Sequence, residues 1–161
     1  MILITGSNGQ LGTELRHLLD EKGIAYVATD AAEMDITDKN AVDIIFQEVN
    51  PTVVYHCAAY TAVDKAEDLD KEMNALINEL GTKNVAEATE SVGATMYYIS
   101  TDYVFDGTNQ DQYQVNDSAN PKNEYGRAKY SGEQLVESIC SKYYIVRTSW
   151  VFGEYGNNFV Y

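Results

Sequence analysis

Apolar runs of strand length alternate along this chain with stretches whose apolar residues recur at helical spacing. Ile2-Leu3-Ile4-Thr5 predicts a short buried strand. Leu11, Leu15, Leu18 and Leu19 follow at i, i+4, i+7 and i+8 and predict a helix that ends near Gly23. Positions 25–29 read as a second strand. Val42, Ile45, Phe46 and Val49 mark a second helix, closed by Pro51, and 52–57 a third strand. Met73, Leu76, Ile77 and Leu80, continued by Val85, Ala88 and Val92, predict one long helix. A strand over 95–100, a polar loop over 107–123, a helix over 124–141 and a strand over 143–147 complete the pattern. Strands alternating with helices predict a parallel sheet covered on both faces. Right-handed crossovers make it a doubly wound, Rossmann-like α/β fold. We expect one dinucleotide-binding domain over 1–161, truncated before a C-terminal substrate domain, because the last segment still has the look of structured chain.

Composition narrows the classes. No apolar run approaches the ~20 residues that span a bilayer, and MILITGSNG has no basic leader, so neither a membrane span nor a signal peptide is expected. Cys57 and Cys140 fall in predicted core elements and read as reduced thiols of a cytoplasmic protein, with no metal-site spacing. The net charge of −14 repels nucleic acid and anionic membranes. Any anionic ligand must therefore be held by local features.

One such feature follows the first strand. Gly6, Gly9 and Gly12 form G-x-x-G-x-x-G in Gly-Ser-Asn-Gly-Gln-Leu-Gly, with a predicted helix after it. Glycines at this spacing let backbone N–H groups approach a pyrophosphate at the helix N-terminus. Asp30 ends the second strand, where a carboxylate accepts hydrogen bonds from the adenosine ribose hydroxyls. It would repel a 2′-phosphate, and no Arg or Lys lies between Val27 and Asp38. The expected cofactor is NADH or NADPH, with NADH preferred.

Tyr125 and Lys129 lie four apart on a predicted helix and share a face. An ammonium beside a phenol lowers its pKa and suits it to proton transfer. Thr101 follows a strand at its carboxyl end, the edge where ligands gather in such sheets, and its hydroxyl is placed to orient a substrate oxygen. With 13 tyrosines in the chain, the Tyr–Lys spacing alone is weak; its company with the glycine turn and Thr101 gives it meaning.

Five segments, ITGSNGQLG (4–12), HCAAYTAVDKAE (56–67), STDYVFDG (100–107), YGRAK (125–129) and RTSWVFG (147–153), together resemble the dTDP-4-dehydrorhamnose reductases of the extended short-chain dehydrogenase/reductase superfamily. The resemblance implies reduction of dTDP-4-dehydro-L-rhamnose to dTDP-L-rhamnose by NAD(P)H, the last step in making that sugar donor. It implies that Gly9, Gln10 and Leu11 contact the dinucleotide phosphates, that Asp35 and Ile36 flank the adenine, and that Ala59, Tyr60 and Thr61 line the cofactor cleft. It implies Thr101, Tyr125 and Lys129 as the catalytic set, and Asp102 and Trp150 as facing the dTDP-sugar. Some members bind Mg²⁺ at a dimer contact, and Glu14 matches one ligand position, so the resemblance leaves room for Mg²⁺ and for a homodimer. Two other readings remain open: a sugar-nucleotide epimerase or dehydratase of the same superfamily, against which Tyr103 after Asp102 argues, and a non-catalytic dinucleotide-binding regulatory subunit. His56 reads as a packed core residue, and Asp64 and Lys65 as a helix start.

Overall fold

The computed structural model describes residues 1–160. Its five strands are β1 (Ile2–Thr5), β2 (Tyr26–Thr29), β3 (Val53–His56), β4 (Thr95–Thr101) and β5 (Tyr143–Thr148). They form one sheet in the order β2-β1-β3-β4-β5, with every pair parallel. The helices are α1 (Gln10–Glu21), α2 (Lys39–Val49), the short α3 (Val63–Ala66) and α4 (Lys71–Ala75), α5 (Thr82–Ser91) and α6 (Glu124–Ile139). The chain moves outward from β1 to β2 in one direction and then from β3 to β5 in the other. Right-handed crossovers therefore place α1 on one face and α2, α5 and α6 on the other. The expected doubly wound fold is what the chain adopts.

The side chains obey the pleat. Leu3, Val54, Met96 and Tyr98 point to the helical layer and are buried there with Val85, Ala86 and Val136. Fully burying an aliphatic side chain of this size contributes about 1.5–3 kcal/mol, so this layer is the main source of stability. On the opposite face Tyr55, Tyr97 and Tyr144 stack across three adjacent strands at 4.8 Å between ring centres. Tyr144 ends that ladder on the edge strand, 57 % exposed.

Two expectations are corrected. The long helix over 73–92 is instead α4, a π-helical turn (Leu76–Gly81) and α5. The wide turn shifts the register of the apolar stripe, so Met73, Leu76 and Leu80 come out exposed while Asn74 and Asn78 go in. Cys57 lies just beyond β3 and is half-buried, unlike the core thiol of Cys140; both are free. His56 is packed as expected, bonded to the hydroxyls of Thr5 (2.7 Å) and Thr82 (3.2 Å). Burial pushes its imidazole down to about 3, so it is neutral at physiological pH.

Candidate active site

A parallel sheet whose connections diverge on either side of β1 and β3 leaves a crevice at the carboxyl ends of its strands. Here it is a groove made of two chambers that share Gly6, Gly9, Cys57 and Ala59. The first, about 250 Å³, is bounded by Asp30, Ala31, Met34, Asp35 and Ile36. The second, about 410 Å³, runs from Gln10, Leu11 and Gly12 past Thr61 to Thr101, Asp102, Tyr125, Lys129 and Trp150.

The glycine turn between the chambers is built for close approach. Gly6 has φ +63°, and a Cβ there would meet the backbone of Ala58. A Cβ on Gly12 would run into the carbonyl of Gly6, so helix and turn touch backbone to backbone. Gly9 is different: a Cβ there would meet only the Gly6 carbonyl, at 3.3 Å, and would project toward the groove. Gly9 caps α1 without any side-chain acceptor, so the first N–H groups of this 12-residue helix are left for an anion. Asp30 sits at the end of β2, with Oδ2 accepting from Asn8 N (2.9 Å) and Oδ1 from Ala31 N (2.9 Å). Both oxygens keep spare lone pairs for ribose hydroxyls. These residues fit a dinucleotide: a pyrophosphate over Gly9–Gly12 and an adenosine against Asp30, Asp35 and Ile36.

At the far end Tyr125 and Lys129 share the buried face of α6 and meet the tip of β4. The Tyr125 hydroxyl is hydrogen-bonded with that of Thr101. Thr101 also accepts from Tyr103 N (3.2 Å) and donates to Asp102 Oδ1 (3.2 Å), which pins it at the start of a 3-10 turn (Asp102–Val104). Burial, with Asp102 adding a smaller effect, holds the Tyr125 phenol above its usual value, and the Thr101 hydrogen bond opposes this. That corrects the expectation of a lysine-depressed phenol. The Lys129 ammonium is instead seated over the ring of Tyr98, 4.2 Å from its centre. Lys129 is 2 % exposed, and burial pushes its amine down to about 7, against the nearby carboxylate of Glu133 and the Cys57 thiol.

Other expected residues divide. Ala59 and Thr61 line the groove, but the Tyr60 side chain does not: its hydroxyl donates to Asp70 Oδ2 (2.7 Å), which with burial pushes the phenol up to about 12. The backbone of Tyr60 is held on both sides by Asn78, whose Oδ1 accepts from Tyr60 N and whose Nδ2 donates to Tyr60 O. Trp150 is 76 % exposed at the mouth, with φ +53°, and touches Phe159 edge-on. It is not a core residue. Glu14 Oε1 accepts from Glu154 N (3.3 Å), and among the described residues no group of three or more His, Cys, Asp and Glu could hold a metal.

The family described as the RmlD substrate binding domain matches residues 1–161. This chain belongs to that family. It is 43 % identical over 160 residues to a dTDP-4-dehydrorhamnose reductase of Aggregatibacter actinomycetemcomitans, covering 99 % of this chain and 54 % of that protein. A crystal structure of a dTDP-4-dehydrorhamnose reductase of Bacillus anthracis in complex with NADP superposes with a TM-score of 0.95 at 46 % identity, covering 99 % of this chain and 56 % of that one. An orthologue from Clostridium acetobutylicum gives 0.95 at 48 % identity with the same coverage. The chain thus spans about half the length of the relatives it matches.

In this member of the family the residues that sequence reasoning missed are mostly buried polar ones behind the groove. Glu133, one turn beyond Lys129, is 1 % exposed. It accepts from Ser100 Oγ and, bidentately, from Arg147 Nε (2.9 Å) and Nη2 (2.6 Å). The pair ties α6 to the ends of β4 and β5, the strands that deliver Thr101 and Trp150. A carboxylate four residues after Lys129 on its own face was the available signal.

Proposed function

We propose that this chain is the cofactor-binding part of a reductase that converts dTDP-4-dehydro-L-rhamnose to dTDP-L-rhamnose with NADH or NADPH. The observation that carries the reading is the convergence of Thr101, Tyr125 and Lys129 in the same groove as the Gly6–Gly12 turn. The names of the relatives and the NADP held by the Bacillus anthracis protein support it.

A bound dinucleotide would supply the hydride for the keto carbon. Everything else falls to side chains of this chain. Tyr125, kept protonated by its burial, gives its proton to the carbonyl oxygen as negative charge develops there. Thr101 holds that oxygen by a hydrogen bond from a fixed strand end. Lys129 would hold the ribose hydroxyls next to the nicotinamide and, when protonated, bring positive charge to the site. Asp102 and Trp150, at the mouth, face the sugar nucleotide. Among the described residues no helix is long and apolar enough to cross a membrane, and two free thiols fit a reducing cytoplasm. Mg²⁺ at Glu14 would need further ligands from outside this chain's described residues, among which no group of three or more His, Cys, Asp and Glu is gathered.

The test follows NADPH oxidation with dTDP-4-dehydro-L-rhamnose, in the protein extended to the length of its relatives, with and without Tyr125→Phe. The expected result is turnover lowered by roughly 10²–10⁴-fold, with dinucleotide affinity unchanged within about twofold, since the ring stays in place. Turnover equal to the parent's would remove Tyr125 from the chemistry. An extended protein that binds dinucleotide without oxidising it would favour a regulatory role.

A further inference from the structure

Arg16 occupies an unusual position. It lies on α1, half-buried, with Nη1 donating to Asn8 Oδ1 (3.1 Å) and to the Ser7 carbonyl (3.4 Å). Its Nε is buried and, among the described residues, has no hydrogen-bond partner. It takes part in none of the ion pairs among those residues. A guanidinium with no carboxylate within 4.0 Å is out of character for a chain of net charge −14.

Asn8 shows what it stands beside. The backbone N–H of Asn8 donates to Asp30 while its side chain accepts from Arg16. A carboxylate and a guanidinium thus bond the same exposed loop residue, Asn8, and the carboxylate, Asp30, lines the adenosine chamber. The carboxylate suits a ribose hydroxyl and repels a phosphate. Glu33, which accepts from Asp30 N, adds a second negative charge. The first basic residue after Asp30, Lys39, is engaged by Asp43 and Glu87. Arg16 is therefore the cation beside Asn8 with donors to spare, and guanidinium donors match phosphate oxygens in pairs.

We propose that Arg16 is a specificity-determining residue of the groove: its guanidinium receives a 2′-phosphate on the adenosine ribose, so that the chain takes NADPH as well as NADH despite Asp30. The proposal rests on the reading of the groove as a dinucleotide site. The cation then comes from α1, 14 residues before Asp30, and not from the segment that follows β2.

Calorimetric titration of this chain with NADP⁺ and with NAD⁺ separates the possibilities. Arg16→Gln should weaken NADP⁺ by about tenfold or more, the loss of a charge-assisted pair, and leave NAD⁺ within about twofold. In the wild type, NADP⁺ affinity should fall more steeply with salt than NAD⁺ affinity, and the excess should vanish in the variant. Arg16→Lys, which keeps the charge and cannot fork, should show a smaller loss for NADP⁺ alone and serves if the glutamine variant does not fold. Equal weakening of both dinucleotides would reduce Arg16 to a clamp on the Ser7–Asn8 turn and overturn the proposal, as would unchanged NADP⁺ affinity. Failure of the wild type to bind either dinucleotide would remove the groove reading itself; normal NAD⁺ binding keeps that reading whatever Arg16 does.

Discussion

Lys129 shows how a single residue trades stability for readiness. Burying an amine with no carboxylate in contact is costly, and the cost appears as an amine held near 7 rather than 10.5. In the unfolded chain Lys129 keeps its proton up to about 10.5, while in the fold it releases it near 7. Below 7 the penalty of burying the charge is felt in full; it is relieved as pH rises from 7 toward 10.5. Lys129→Met should therefore raise stability by on the order of 1–2 kcal/mol at pH 6, with the advantage over wild type shrinking by pH 9.5. Thermal unfolding at both pH values checks this, and a pH-independent difference would mean that the lysine's charge is not what the fold resists. At this scale the sequence was informative where spacing encodes geometry. Gly6, Gly9, Asp30, Tyr125 and Lys129 all reach the groove. It was silent where partners come from distant segments. Nothing near Tyr60 announces Asp70 and Asn78 as its holders, and nothing near Glu133 announces Arg147.

Among the elements, α6 and the π-helical turn carry the precision of the site. The buried face of α6 is Tyr125, Gly126, Ala128, Lys129, Gly132, Glu133 and Val136, four of the seven being charged or glycine. Gly126 and Gly132 allow the reason. A Cβ on Gly126 would strike the Tyr103 carbonyl, and one on Gly132 would strike the Tyr98 hydroxyl and the Asn78 carbonyl. The helix is thus pressed onto β4 and the π-turn, close enough for Tyr98 to donate to the Lys129 carbonyl (3.2 Å). Gly132→Ala should cost about 1–3 kcal/mol through this overlap, and Tyr98→Phe in the same chain should recover part of it, since the Asn78 carbonyl remains. Denaturant unfolding of the three variants measures both effects; full tolerance of Gly132→Ala would contradict the close approach. Periodicity located α6 within two residues at its end. It failed at the π-turn because a one-residue widening leaves the apolar count intact while rotating the stripe, so that Asn78 and not Leu80 faces inward.

For the molecule as a whole, an acidic chain has to hold an anionic dinucleotide. On the proposed reading the glycine turn and the open N-terminus of α1 do so locally, with Arg16 and Lys129 as the cations. The order β2-β1-β3-β4-β5 came only with the structure, whereas parallel pairing and crossover hand were legible from the alternation of runs, because parallel sheets leave few topologies. The tyrosine ladder ending on exposed Tyr144 was not, since alternation does not say which face a later segment covers. The central claim is that a dinucleotide lies across Gly9. Trp150, the one tryptophan, stands at the mouth of the same groove, so its fluorescence reports the ligand directly. The measurement is titration of NADPH into this chain, followed by Trp150 quenching, for the wild type and for Gly9→Val. The backbone of Gly9, φ −70° and ψ 170°, admits valine, and a side chain there enters the groove rather than the core. The account predicts saturable quenching in the wild type, and in a variant of unchanged thermal stability an affinity lower by at least about tenfold, or 1.4 kcal/mol. Equal affinity in the two chains would mean that the dinucleotide does not lie there.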